Sequence, residues 1–159
     1  MILSTKTDAN IIGVEIQKDV YDLAVESVKI NNLENKITMI NDDIKEYSKK
    51  YDNEYFDVIT CNPPFFKVNE QSNFKKDIYK TLARHEINLT LSDVFKIARK
   101  LLKNNGVIAM VHRPERIVEI LDEMKKNNIE PKKIQFIYPK KDKDSNICLL
   151  YTSPSPRDR

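Results

Sequence analysis

The sequence predicts an α/β domain with a mainly parallel sheet, on three observations. Short apolar runs rich in Ile and Val alternate with stretches whose apolar residues recur at helical spacing. Their order is β-α-β-α-β, then a long loop, then α-β-α-β-β, which is the order of strands joined by helical crossovers. The last two strands have no helix between them, which predicts an antiparallel hairpin at the edge. No internal repeat interrupts the order.

At 159 residues the chain has one domain's length, enough to bury a sizeable core. With 40% hydrophobic and 32% charged residues it falls among globular rather than disordered chains. No apolar run approaches the ~20 residues that span a bilayer, and no signal-peptide pattern opens the chain. Membrane association is therefore not expected. Cys61 and Cys148 sit in apolar strand-like runs without zinc-site spacing. They read as reduced core residues, which suits the cytoplasm, and no metal is expected. The net charge of +3 permits a nucleic-acid partner without demanding one. Only two glycines occur, Gly13 and Gly106, where average usage of ~7% would give about eleven. A nucleotide-type α/β domain places glycines in its first strand-to-helix turn, and this sequence holds no such turn.

The elements follow in order. Residues 11–16 form an apolar strand closed by one acidic residue, Glu15. Residues 18–31 carry Val20, Leu23, Ala24, Ser27 and Val28 at the spacing of one buried helix face. Asn31-Asn32 ends that helix, and residues 37–40 make a strand leading to Asp42-Asp43-Ile44. A lysine-rich, helical surface segment follows up to Asp52. Residues 55–61 then read as a short strand covered on both faces, stopping at Asn62-Pro63-Pro64. Pro63 lacks an N–H and pushes Asn62 toward an extended backbone, so the exit from the sheet is fixed. Residues 66–89 form a long polar loop with Lys67, Lys75, Lys76 and Lys80, a length that marks function or mobility. Thr90 and Asp93 predict a capping box for a helix that buries Leu91, Val94, Phe95, Ala98, Leu101 and Leu102. Gly106 serves the turn into a strand over residues 107–111. Pro114 opens a further helix with Ile117, Val118, Leu121 and Met124 inward. Strands near residues 133–138 and 146–150 complete the sheet.

Glu15, Asp43 and Asn62 close successive strands, and in a parallel sheet such ends line one edge, where ligands bind. Glu15 could accept hydrogen bonds from both hydroxyls of a ribose, or be a solvated strand end. Asp43 could meet an adenine amine or cap the segment after it, and Asp42 beside it leaves the choice open. The Asn62 carboxamide oxygen and the Pro63 carbonyl could each accept one N–H of an exocyclic base amine. Such an amine is a poor nucleophile, because its lone pair is delocalised into the ring. Two acceptors would hold it with the lone pair turned toward an electrophile, so positioning would supply the acceleration. Phe65 offers a stacking face worth roughly 1–3 kcal/mol to a base taken out of its own stack.

Four stretches together resemble one family: Glu15-Ile16-Gln17, Asn62-Pro63-Pro64-Phe65, Ala83-Arg84-His85-Glu86 and Val111-His112-Arg113-Pro114-Glu115-Arg116. They are similar to class I S-adenosylmethionine-dependent methyltransferases with a Rossmann-like fold. Within that class they look like the bacterial enzymes that methylate N6 of adenine in the anticodon loop of a valine tRNA. The similarity runs from about Leu3 to Leu150. The resemblance implies that Glu15 holds the cofactor's ribose, that Asp43 contacts its adenine, and that Ile16 and Ile44 pack on that ring. Asn62, Pro63, Pro64 and Phe65 would receive the target base, with Asn62 also beside the cofactor. Lys67, Arg84, His85, Arg113 and Arg116 become candidates for tRNA contact, while His85 and His112 could equally be core or capping residues. The resemblance further implies a cytoplasmic monomer acting on tRNA without metal. Guanine-N2 methylation of ribosomal RNA uses the same Asn-Pro-Pro-Phe, and a non-enzymatic RNA-binding module is the alternative outside catalysis. In enzymes that methylate a protein glutamine, Tyr is usual at the Phe65 position.

The sequence departs from that family at both ends. The family's D-x-G-x-G-like cofactor loop after its first strand has no counterpart here, so the chain is expected to be N-terminally truncated. Without that strand, the strands near Ile11 and Phe56 would lack a bridging neighbour. We therefore expect residues 1–150 to form a partial catalytic domain that binds S-adenosylmethionine poorly and does not turn over. Residues 151–159, Tyr-Thr-Ser-Pro-Ser-Pro-Arg-Asp-Arg, have no periodicity and read as a disordered or non-native tail.

Overall fold

The computed structural model describes residues 2–63, 89–137 and 147–154. The chain divides into two compact units, Met1–Tyr51 and Asp52–Arg159, where the sequence predicts one domain.

The first unit opens with a single 3-10 turn, Ile2–Thr5. It then forms β1 (Ile11–Glu15), α1 (Lys18–Ile30), β2 (Ile37–Asn41) and α2 (Ile44–Lys49). β1 and β2 pair in parallel from Ile11 opposite Ile37 to Glu15 opposite Asn41, as a helical crossover requires. Asn31 caps α1 and Asn32 turns left-handed at φ 52, a conformation Asn tolerates. The buried face of α1 is only in part the one the spacing predicts. Val28 is buried and Ala24 half-buried, but Val20 and Leu23 are exposed, Leu23 by 66%. Val28 instead shares its face with Tyr21 and Val25, so the helix is rotated from the predicted stripe.

The second unit contains β3 (Phe56–Cys61), α3 (Leu91–Leu101), β4 (Leu102–His112), α4 (Ile117–Lys126), β5 (Ile129–Ile137) and β6 (Ile147–Pro154). Its sheet has the order β3-β4-β6-β5, with β3 and β4 parallel and the other pairs antiparallel. The predicted parallel crossover and C-terminal hairpin are both present. α3 and α4 pack with one face of this sheet. Phe95, Leu102, Ile108, Met110, Ile120 and Met124 form the centre of the core, each no more than 2% exposed. The Thr90–Asp93 capping box is complete: the Asp93 N–H donates to Thr90 Oγ1 at 3.1 Å, and the Thr90 N–H donates to Asp93 Oδ2 at 3.0 Å.

Several expectations are corrected. β3 is covered on one face only: Ile59 and Cys61 turn toward the core, while Val58 is 56% exposed and Thr60 exposed. The left-handed turn before the apolar part of β4 is made by Asn105 at φ 66, not by Gly106. Gly106 is needed for closeness, since a Cβ there would lie 2.9 Å from the Lys103 carbonyl oxygen and 3.2 Å from that of Asp57. Val118 is 69% exposed rather than inward, because α4 turns the face of Ile120 and Met124 to the core. β4, β5 and β6 run longer than predicted. β6 continues to Pro154, so residues 151–154, assigned to the tail from sequence, pair within the sheet.

Candidate functional site

Glu15 ends β1 and is half-buried. Its Oε1 accepts the backbone N–H of Gln17 at 2.8 Å, which aims the carboxylate at the first turn of α1. The strand end is held from β2: Asn41 Nδ2 donates to the Glu15 carbonyl at 2.8 Å and to the Ile16 carbonyl at 3.2 Å. Among the described residues the second Glu15 oxygen takes no hydrogen bond. A fixed carboxylate with an available oxygen after a parallel strand suits a vicinal diol such as that of a ribose. Asn41 was missed in the sequence, although its place at the end of β2, opposite Glu15, was the available signal.

Asp42 and Asp43 have different partners. Asp43 is the N-cap of α2, accepting the Lys45 N–H at 2.8 Å. Asp42 Oδ1 accepts the Asp43 N–H at 2.9 Å, and its Oδ2 pairs with Lys50 Nζ at 2.6 Å. The bond from Lys50 holds the Asp42 carboxyl below its ordinary range. Asp42 thus locks the turn that presents Asp43. Ile44, the first residue of α2, is half-buried, and Ile16 is 46% exposed, so the latter offers an apolar surface.

In the second unit, Asn62 follows directly on β3 and is exposed, while Pro63 is buried. The parallel pairing of Cys61 with Met110 fixes the carboxyl end of the strand from which Asn62 emerges. Cys61 itself is no nucleophile, because burial pushes its thiol up to about 11. Pro64, Phe65, Lys67, Arg84 and His85 lie outside the described residues.

β4 ends beside this point. His112 is 1% exposed, and its Nδ1 accepts the Arg113 N–H at 2.9 Å. Burial, then the charge of Arg116, lowers its pKa below the ordinary histidine value. Arg113 is exposed. Arg116 makes a forked pair with Glu119 on α4, Nη2 to Oε1 at 2.7 Å and Nε to Oε2 at 3.1 Å, with its side chain only 13% exposed. The two described arginines of the predicted RNA-binding set, Arg113 and Arg116, are therefore placed differently. Among the described residues no cluster of His, Cys, Asp or Glu could hold a metal, and no helix is long and apolar enough to cross a membrane.

Comparison with known proteins places the chain in a family and a fold. The family described as N-6 DNA Methylase matches residues 3–138. The chain is 26% identical over 156 residues to the tRNA1(Val) (adenine(37)-N6)-methyltransferase of Parabacteroides distasonis, covering 98% of this chain and 64% of that protein. It is 32% identical over 107 residues to the enzyme of the same name from Mannheimia succiniciproducens, covering 67% of this chain and 43% of that one. The match thus spans between 43% and 64% of the length of these relatives. A predicted O-methyltransferase of Agrobacterium tumefaciens has a similar structure, with a TM-score of 0.68, 15% identity, and coverage of 94% of this chain and 64% of that one. The ribosomal protein L11 methylase of Lactobacillus delbrueckii subsp. bulgaricus is also similar, with a TM-score of 0.61 and 12% identity over 91% of this chain and 57% of that one. At such identities these structures establish the fold alone, a Rossmann-like methyltransferase fold.

Proposed function

The chain belongs to the N-6 DNA methylase family, and on that footing we propose that it serves methylation of the exocyclic N6 amine of an adenine in a tRNA anticodon loop, with S-adenosylmethionine as donor. The observation that carries this reading is an exposed Asn62 at the carboxyl end of the parallel strand β3, followed by a buried Pro63. The RNA substrate is favoured over DNA by the names of the relatives, which span most of this chain.

Glu15 would hold the ribose of the cofactor, Asp43 its adenine, and Ile16 and Ile44 the faces of that ring. When bound, the cofactor supplies an electrophilic methyl group. The chain's own residues act on the amine. The Asn62 side-chain oxygen and the Pro63 carbonyl accept its two N–H bonds, and Phe65 stacks on the base. No strong base is needed, because positioning supplies the acceleration and the N–H proton displaced by the methyl group passes to solvent water. Lys67, Arg84, His85 and Arg113 would meet the RNA backbone or bases. The sequence has no glycine-rich turn for the methionine end of the cofactor, so these 159 residues by themselves would hold it weakly and turn over poorly.

Because turnover is expected to be poor, binding is the decisive test. Anticodon hairpins carrying adenine, purine or guanine at the target position would be titrated against the chain. Adenine is expected to bind about tenfold more tightly than purine, which lacks the amine, and Asn62→Ala to erase the difference. Equal binding of adenine and purine would sink the amine reading. Preference for guanine would favour guanine-N2 methylation instead.

A further inference from the structure

We infer that His112 is a positioning residue that aims Arg113 at a phosphate of the RNA beside Asn62. The inference rests on the RNA-binding reading above and chooses among its basic candidates.

The geometry begins with the register of the two parallel strands. Cys61 stands opposite Met110, and two residues further on Pro63 and His112 are both buried. Alternation along a strand sends every second side chain to the same face. Asn62, Val111 and Arg113 therefore share the face opposite to that of Pro63 and His112. Asn62 and Arg113 are both exposed, and Arg113 continues the extended backbone at φ −76, ψ 140. The target-amine acceptor and this guanidinium thus leave the same end of the same sheet on one face. Arg116 is the less exposed of the two, its side chain 13% exposed and its fork joining the 3-10 turn to Glu119 on α4.

The direction in which Arg113 leaves is set by its neighbour. His112 is anchored in the core side of β4, and its Nδ1 takes the Arg113 N–H at 2.9 Å. This bond needs Nδ1 as an acceptor, so the proton of the neutral ring resides on Nε2. Burial keeps the ring neutral at physiological pH, which preserves the acceptor. A buried ring thereby fixes the first backbone N–H beyond the strand, and with it the point and direction from which the exposed arginine side chain departs.

The test compares four proteins: the unsubstituted chain, Arg113→Ala, His112→Asn and His112→Gln. Asn places an acceptor oxygen where Nδ1 stands, whereas Gln places its polar end near Nε2. Binding of the adenine and purine hairpins is measured across a salt series, with melting temperatures to establish folding. Arg113→Ala is expected to weaken both hairpins about tenfold and to reduce the salt slope by about 0.7, one phosphate contact on a single strand. His112→Gln should reproduce that loss, and His112→Asn should stay within about twofold of the unsubstituted chain. A structural histidine would not move the salt slope through one variant and leave it through the other. Equal behaviour of the Asn and Gln variants, or an unchanged slope in Arg113→Ala, would overturn the inference. Failure of the amine reading shows differently, as loss of the adenine–purine difference with the salt effects of these variants intact.

Discussion

Single residues here differ sharply in what they tolerate, and contact geometry says which. Gly106→Ala would force backbone to move, because the nearest atoms to a new Cβ include carbonyl oxygens at 2.9 and 3.2 Å. Urea unfolding should register a loss of about 1–3 kcal/mol. Gly13→Ala meets only the sulfur and methyl of Met39, at 2.6 and 2.9 Å, and that flexible side chain can turn away. Its loss should be smaller than that of Gly106→Ala in the same assay. His112 links residue chemistry to pH. Its folded pKa lies below the ordinary 6.5, so the unfolded chain takes up the proton first on acidification. Stability should be full above 6.5, fall as pH drops from 6.5 toward the lower folded value, and then level off with respect to this group. The melting temperature between about pH 7 and 5.5 should show that decline, and His112→Asn should flatten it. The charged groups facing the ring among the described residues are Arg113, Arg116 and Glu119. A decline unchanged in the variant would assign it to other groups.

At the scale of elements, helix ends were legible and helix faces only partly so. Thr90 and Asp93 announce the start of α3 because capping is local: four consecutive residues contain both donors and both acceptors. Thr90→Ala should destabilise the second unit by about 1 kcal/mol in chemical denaturation. The face of α1 was a weaker inference, since apolar residues occur on more than one side of it. Val20, Leu23 and Ile30 form an exposed apolar stripe, while Val28 is buried. Leu23→Gln should therefore change stability by less than about 0.5 kcal/mol, as surface substitutions do, and Val28→Ala by clearly more. A loss at Leu23 as large as that at Val28 would restore the face predicted from spacing. Asn105, likewise, took the left-handed position expected of Gly106, because Asn can adopt it and glycine was needed next door for close approach.

At the scale of the whole molecule, the chain forms two compact units, and the well-buried core cluster belongs to the second, around Phe95, Ile108, Met110 and Met124. A saturating excess of S-adenosylmethionine over a tight site would raise the melting temperature by several degrees. With no glycine-rich turn in the sequence, we expect a shift below about 1 °C in differential scanning fluorimetry, and a larger one would refute weak binding. The order of residues was enough to specify the α/β succession, the parallel crossovers, the capping box and the identity of Glu15 and Asn62 as strand-end residues. These follow from periodicity, turn chemistry and proline stereochemistry, all readable over a few adjacent residues. Which polar groups are already engaged emerged only once the chain was folded. Asn41 reaches across from β2 to hold Glu15, Asp42 is committed to Lys50, Arg116 is committed to Glu119, and Arg113 stands at the exposed sheet end. Such pairings depend on strand register and on the rotation of packed helices, which bring together residues whose spacing along the chain carries no signal.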